Sequence, residues 1–223
     1  SAPEWVDSPQ SLMTAAGDVL YASGANTLAK LAKGSDTEVL TLASGVPSWA
    51  APAGGGAWTK ISNQNASGES EIEFNTFSAD YRDFRVVVSD WVHSSDQNLY
   101  FRISDASGYE TANYKYTFLG SYTATTFVQG SESAAAIYLN YNTPDMGSGS
   151  SISGIFNLFD VHDTSNLATA DYRTWYFRTD GQINTLHGSG SHSNTAATTG
   201  VRFYGDSGTI DSGSFTLYGR KIT

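Results

Sequence analysis

Leu99-Tyr100-Phe101-Arg102-Ile103 alternates in character with a period of two. Successive side chains of an extended chain point to opposite faces, so Leu99, Phe101 and Ile103 share one face. A strand with one apolar side is the reading, and the same texture recurs from Trp58 onward. Phe84-Arg85-Val86-Val87-Val88 is β-branched and suits a pleated surface. Tyr172-Arg173-Thr174-Trp175-Tyr176-Phe177-Arg178 sets Trp175 and Phe177 against Tyr172, Thr174 and Tyr176. Ile137-Tyr138-Leu139-Asn140-Tyr141, Ile155-Phe156-Asn157-Leu158-Phe159, Val201-Arg202-Phe203-Tyr204 and Phe215-Thr216-Leu217-Tyr218 behave alike. Turn signals separate them at Asp105-Ala106-Ser107-Gly108, Asn142-Thr143-Pro144-Asp145, Thr179-Asp180-Gly181 and Gly205-Asp206-Ser207-Gly208. Many short strands without a long helix predict an all-β chain, with residues 58–223 forming a jelly-roll-like antiparallel β-sandwich.

Ahead of that domain the chain is organised differently. Residues 1–16 read as a lead-in, with one helical turn at Ser11-Leu12-Met13-Thr14-Ala15-Ala16. Residues 17–49 form a unit with two apolar β-like runs, Val19-Leu20-Tyr21 and Val39-Leu40-Thr41-Leu42. Between them, Leu28-Ala29-Lys30-Leu31-Ala32-Lys33 fits either a helical turn or a third strand. Residues 50–57, with Pro52 and three glycines, read as a linker. A unit of 33 residues without cysteine is too short to bury a core of its own. Its simplest partner is another copy of itself, which makes it a short oligomerising stalk.

Composition narrows the functional classes. The 22 acidic against 12 basic residues give a net charge of −10, which disfavours nucleic acid and anionic membrane surfaces as partners. The absence of cysteine removes disulfides, thiolate metal sites and cysteine nucleophiles together. No apolar run approaches the length of a membrane helix. Ser1-Ala2-Pro3-Glu4 has no basic n-region, and no apolar h-region follows it. A start at Ser reads as processing, a tag remnant or an excised fragment.

The opening unit resembles a module of tailed-bacteriophage fibre and appendage proteins. The matching residues are Gly17-Asp18-Val19-Leu20-Tyr21, Leu31-Ala32-Lys33-Gly34-Ser35-Asp36, Val39-Leu40-Thr41 and Pro47-Ser48-Trp49. The module usually has Gly before its Val-Leu-Thr strand, where this chain has Thr37-Glu38. The larger segment is similar to the C-terminal β-domain of the same proteins. It opens on Trp58-Thr59-Lys60-Ile61 and closes on Gly208-Thr209-Ile210-Asp211-Ser212-Gly213-Ser214-Phe215-Thr216-Leu217-Tyr218-Gly219. The resemblance implies a virion fibre or spike on the particle surface, homotrimeric, joined to other virion proteins and with its terminal domain facing the host. It carries over no catalytic residues.

Candidate sites follow from residue type. Tyr109, Tyr114, Tyr116 and Tyr122 lie in or beside expected loops, and Trp91 ends the strand through Val88. Such rings stack on the apolar faces of sugars while nearby polar groups bond hydroxyls, so a bacterial surface glycan is the expected ligand. The bland alternative for these rings is core or inter-subunit packing. Asp160, His162 and Asp163 end a strand and make a start for a divalent cation such as calcium, or are ordinary turn residues. His187 and His192 sit in what reads as a flexible Gly-Ser loop. Glu71 and Glu73 would flank Ile72 on the solvated face of a strand. Together with Glu69, Asp80 and Asp83 they are the acids nearest to a hydrolytic pair, and no catalytic set emerges. The expected function is adhesion, without enzyme chemistry and without a required cofactor. The alternatives are a capsid decoration or head-fibre protein without a defined ligand, and a polysaccharide depolymerase.

Overall fold

A computed structural model describes residues 9–52, 58–122, 125–140, 150–178 and 180–221. The chain divides into two compact units, Ser1–Gly55 and Gly56–Thr223. Nearly all the regular structure is antiparallel strand, as the periodicity predicts. The expected Asn142–Asp145 turn and most of the 50–57 linker lie outside the described residues.

The smaller unit is two hairpins. β1 (Val19–Gly24) pairs with β2 (Thr27–Leu31), and β3 (Val39–Ala43) with β4 (Val46–Ala50). The Leu28–Lys33 run is therefore mainly strand. The second hairpin turns on Ser44 and Gly45, with φ of 52° and 82°. Two consecutive left-handed residues match the right-handed twist of the strands they join. The helical turn is a 3-10 turn at Pro9–Leu12, earlier than expected.

Polar contacts close the first hairpin on itself, and Trp49 ties the second hairpin to it. The Asp18 carboxylate accepts from the backbone N–H groups of Thr14 and Ala15, both at 2.9 Å, and of Lys33 at 3.3 Å. Lys30 Nζ lies 3.5 Å from it. The Trp49 indole donates to the Ala32 carbonyl at 2.7 Å, and its ring lies over Gly34, where a Cβ would come within 2.7 Å of it. No apolar residue among the described ones of this unit is buried, and Leu42 is 73% exposed.

In the larger unit, β5 (Thr59–Ala66), β6 (Glu71–Phe74), β7 (Tyr81–His93) and β8 (Leu99–Asp105) come first. Next are β9 (Gly108–Tyr109), β10 (Tyr114–Tyr122), β11 (Thr125–Ala134) and β12 (Ile137–Tyr138). β13 (Ser151–Phe159), β14 (Thr169–Phe177), β15 (Ile183–His192), β16 (Gly200–Gly205) and β17 (Ile210–Lys221) complete it. One sheet has the order β11-β10-β15-β14-β13-β7-β17-β5. The other has the order β12-β8-β16-β6, with β9 on β8.

The inward faces of the two sheets meet through aromatic rings. Phe101 on β8 and Phe203 on β16 reach Phe156 on β13 at 5.8 and 5.0 Å between centroids. Phe203 also meets Phe215 on β17 at 5.6 Å and Trp91 on β7 at 6.3 Å. These separations suit edge-on and tilted ring pairs.

Trp91 owes its place to a bulge. Val86 and Val88 face inward on even positions, whereas Trp91 and His93 do so on odd ones. The parity changes at Asp90, whose φ is 51°, opposite Gly213, whose φ is 140°. A Cβ on Gly213 would lie 2.8 Å from the Trp91 Cα.

Two outcomes follow from this architecture. Phe203→Ala removes the ring shared by both sheets and should cost about 3–5 kcal/mol, read by urea unfolding of the full chain. For Asp18, burial pushes the carboxyl up, but the N–H groups of Ala15, Thr14 and Lys33, with Lys30, outweigh it and hold the pKa below 3.8. A depressed carboxyl stabilises the fold above its unfolded value and ceases to do so as pH falls through its folded value. Amide protection in residues 14–33, measured against the intrinsic exchange rate at each pH, should therefore fall below about pH 4 in the native chain, and far less in Asp18→Asn.

Candidate functional site

The outer face of the smaller sheet follows from its inner one. Burying Leu99, Phe101 and Ile103 of β8, and Val201 and Phe203 of β16, turns Tyr100, Arg102, Arg202 and Tyr204 outward. The strand register then aligns them. Tyr138, Tyr100, Tyr204 and Glu71 stand opposite one another across β12, β8, β16 and β6. In the next row Arg102 faces Arg202, which faces Glu73.

The tyrosine row is in ring contact. Tyr100 lies 4.7 Å from Tyr138 and 5.3 Å from Tyr204. The guanidinium groups of Arg102 and Arg202 each lie 5.0 Å from the centre of Tyr204. Arg202 also covers Tyr109 at 4.5 Å and pairs with Glu71 at 2.9 Å. The Tyr100 hydroxyl donates to Asp206 at 2.6 Å, and Asn98 holds the other carboxylate oxygen at 3.0 Å. Tyr116 of the larger sheet meets Tyr138 at 5.6 Å. Tyr100, Arg102, Tyr116, Tyr138, Tyr204 and Asp206 line a cleft of about 390 Å³, together with Ser131 and Ala134–Ala136. Aromatic walls, one cation and one carboxylate form a surface suited to a polyhydroxylated ring.

Burial raises the phenols of this cluster. It is the main cause at Tyr100, reinforced by the bond to Asp206. Burial pushes Tyr116 up to about 12, and it raises Tyr204 against the opposing pull of Arg102 and Arg202.

The rings singled out from the sequence divide into groups. Tyr116 is a buried inward residue of β10, 7% exposed, that borders the cleft, and Tyr109 sits on the smaller sheet's outer face under Arg202. Trp91 and Tyr114 are core residues, 1% and 0% exposed, which corrects the expectation that they meet a ligand. Tyr114 packs against His192 at 5.0 Å, and its hydroxyl accepts from the Ile103 N–H at 2.9 Å. Tyr122 lies at the far end of β10, with Arg178 over its ring at 4.5 Å. Tyr100, Arg102, Tyr138, Tyr204 and Asp206 were not singled out, although strand alternation already set Tyr100 and Arg102 opposite the apolar face.

Asp160, His162 and Asp163 do not converge as metal ligands. Asp160 pairs with Arg82 at 3.0 Å, and His162 Nε2 lies 3.2 Å from the Ser78 carbonyl. Asp163 binds Asn166 Nδ2 at 2.8 Å and the Ser165 N–H at 2.7 Å, contacts that hold its pKa below the usual range. Among the described residues no group of three acidic or histidine side chains is placed to hold a metal. His187 and His192 lie on β15, not in a loop, and face opposite ways. His187 is 3.3 Å from Asp171, while His192 is buried. Of the acids, Asp83 is buried against Arg220, whose Nε donates to it at 2.9 Å.

An alkaline transition should report the tyrosine cluster. A buried phenol that stays neutral stabilises the fold below its unfolded value of about 10, and this is lost as pH rises through its folded value. Spectrophotometric titration should show a delayed group of phenols, with Tyr116 near 12, that ionises with the unfolding signal. Tyr100→Phe should remove one member of that group.

No protein-family model matches the chain, and no curated protein is significantly similar to it. The functional reading rests on the residues themselves.

Proposed function

We propose that the chain is a bacteriophage virion fibre or spike protein that adheres to a bacterial surface glycan. In this reading the smaller unit joins copies into a homotrimer, and the larger unit holds the saccharide in the tyrosine cleft. The observation that carries adhesion is the row Tyr138–Tyr100–Tyr204, its part-exposed outer rings Tyr138 and Tyr204 set on either side of the buried Tyr100 and flanked by Arg102 and Asp206. Among the described residues Asp206 is the one carboxylate lining the cleft, where glycoside hydrolysis generally uses a pair, so binding fits better than cleavage.

The trimer reading is supported by the unburied apolar side chains of the smaller unit. Leu28, Val39, Leu40, Leu42 and Val46 are all exposed. A surface of that kind on so small a unit is normally covered by a partner, and a second copy supplies one of matching chemistry. Three weak sites on one stalk would then act together.

A jelly-roll reading of the larger unit is supported by its strand pairing. β8 pairs with β12, β7 with β13, β6 with β16 and β5 with β17, each pair enclosing the one before. Such nested pairing is that of one long hairpin rolled into two sheets. β14, β15, β10 and β11 would extend one sheet beyond β13.

The capsid decoration reading is favoured by a different surface. On the outer face of the larger sheet Leu119 stands opposite Val128, and Phe177 opposite Ile183, all four exposed. A contact with another virion protein would cover them.

Two measurements separate these readings. Light scattering of the full chain should give a trimer that dissociates in Leu40→Asp/Leu42→Asp; a monomer at every concentration would contradict the stalk reading. Tyr204→Ala should weaken attachment of labelled protein to host cells about tenfold, roughly 1.4 kcal/mol, at an unchanged melting temperature. Under the decoration reading Val128→Asp would reduce particle incorporation and Tyr204→Ala would change nothing.

A further inference from the structure

The charges of the tyrosine face are unevenly paired: its carboxylates Glu71 and Glu73 gather on one of its two arginines. Arg102 and Arg202 stand directly opposite each other on adjacent strands, an arrangement that costs energy unless neighbouring charges offset it. The offset reaches only one of them. Arg202 has Glu71 at 2.9 Å and Glu73 at 4.0 Å, both from β6 on its far side. Arg102 lies on the other side of that pair, towards β12. Its Nε donates to the Ala135 carbonyl at 2.9 Å, and no carboxylate among the described residues forms an ion pair with it. Among the described residues nothing bonds its Nη nitrogens, and Arg102 is the one cation lining the cleft. The Asp206 carboxylate, by contrast, is already engaged by Tyr100 and Asn98.

We infer that the cleft selects a saccharide bearing an anionic group, a carboxylate or a sulfate ester, which Arg102 neutralises. This rests on the reading that the cleft holds a sugar. The ligand's ring lies against Tyr138 and Tyr204, its anionic group takes the two Nη donors of Arg102, and a ring hydroxyl donates to Asp206. A guanidinium presents two parallel donors to a planar carboxylate, which an ammonium cannot copy. In a protein of net charge −10, long-range attraction would not draw in an acidic polymer, so the preference must come from this local contact.

The test is calorimetric titration of the full chain with three oligosaccharides of matched length. These are an oligogalacturonate, its neutral methyl ester and a sulfated galactan, each at about 20 mM and about 0.5 M salt. The acidic forms should bind about tenfold more tightly than the ester at low salt, with the gap closing at high salt. Whichever of carboxylate and sulfate binds more tightly identifies the anionic group. Arg102→Gln should abolish the gap, and Arg102→Lys should restore part of it, both at a native melting temperature. Equal binding of acid and ester, or a gap that survives Arg102→Gln, would overturn the inference. If Tyr204→Ala then removes equal binding of both forms, the saccharide reading stands and the acidic preference alone falls. Binding of none of the three sugars also overturns the inference, while host-cell attachment of Tyr204→Ala judges the saccharide reading separately.

Discussion

The contact of Phe101 and Phe203 with Phe156, Phe215 and Trp91 across the two sheets is the constraint on which the larger unit depends. Burying these rings fixes the register of β8 and β16, because a slip of one residue would exchange their faces. Once that register is set, Tyr100, Arg102, Arg202 and Tyr204 have nowhere to go but outward. The candidate site is thus the reverse side of the core. Its order across strands comes from pairing that the hydrophobic face dictates, and loops add Asp206, Asn98 and the Ala135–Ala136 wall at its margin.

The smaller unit inverts this arrangement. Its hairpins are shaped by turn chemistry at Ser44-Gly45 and by directed polar contacts, the Asp18 carboxylate and the Trp49 indole above all. Such contacts define a shape but exclude little apolar area from water, and burial is the main stabilising term in folding. The unit therefore has a defined backbone together with exposed Leu40 and Leu42, a combination that fits an element completed by other copies.

Much of this was legible in the sequence. Alternation in Leu99–Ile103, Ile155–Phe159 and Tyr172–Phe177 gave the strands, and in Leu99–Ile103 the inward residues too, because period two follows directly from the extended backbone. In Tyr172–Phe177 it gave two faces, of which the one with Tyr172, Thr174 and Tyr176 is the buried one. What failed was local reading of residues whose role is long-range. Tyr114 and Tyr116 looked like loop aromatics, yet with Phe118 they form an alternating inward row on β10. The glycines around His187 suggested a flexible loop. They are strand residues kept small by tyrosines and an isoleucine above them: a Cβ on Gly188 would lie 2.6 Å from the Tyr172 hydroxyl, and one on Gly190 would lie 2.9 Å from Ile137. Trp91 was misplaced because a bulge reverses side-chain parity, and only the partner strand with Gly213 reveals that bulge. The Asp160 cluster was misread for a similar reason, since Arg82 is 78 positions from Asp160 and Ser78 is 84 from His162.

The most direct test of the central claim is ring-specific NMR of the full chain with selectively labelled tyrosine, titrated with purified host-surface polysaccharide. The chain has 13 tyrosines spread over both units, so the rings map where contact occurs. The account predicts shifts concentrated at Tyr100, Tyr138 and Tyr204, with Tyr116 moving less and Tyr21 and Tyr218 unmoved. Binding that leaves the Tyr138–Tyr100–Tyr204 row unshifted would contradict it.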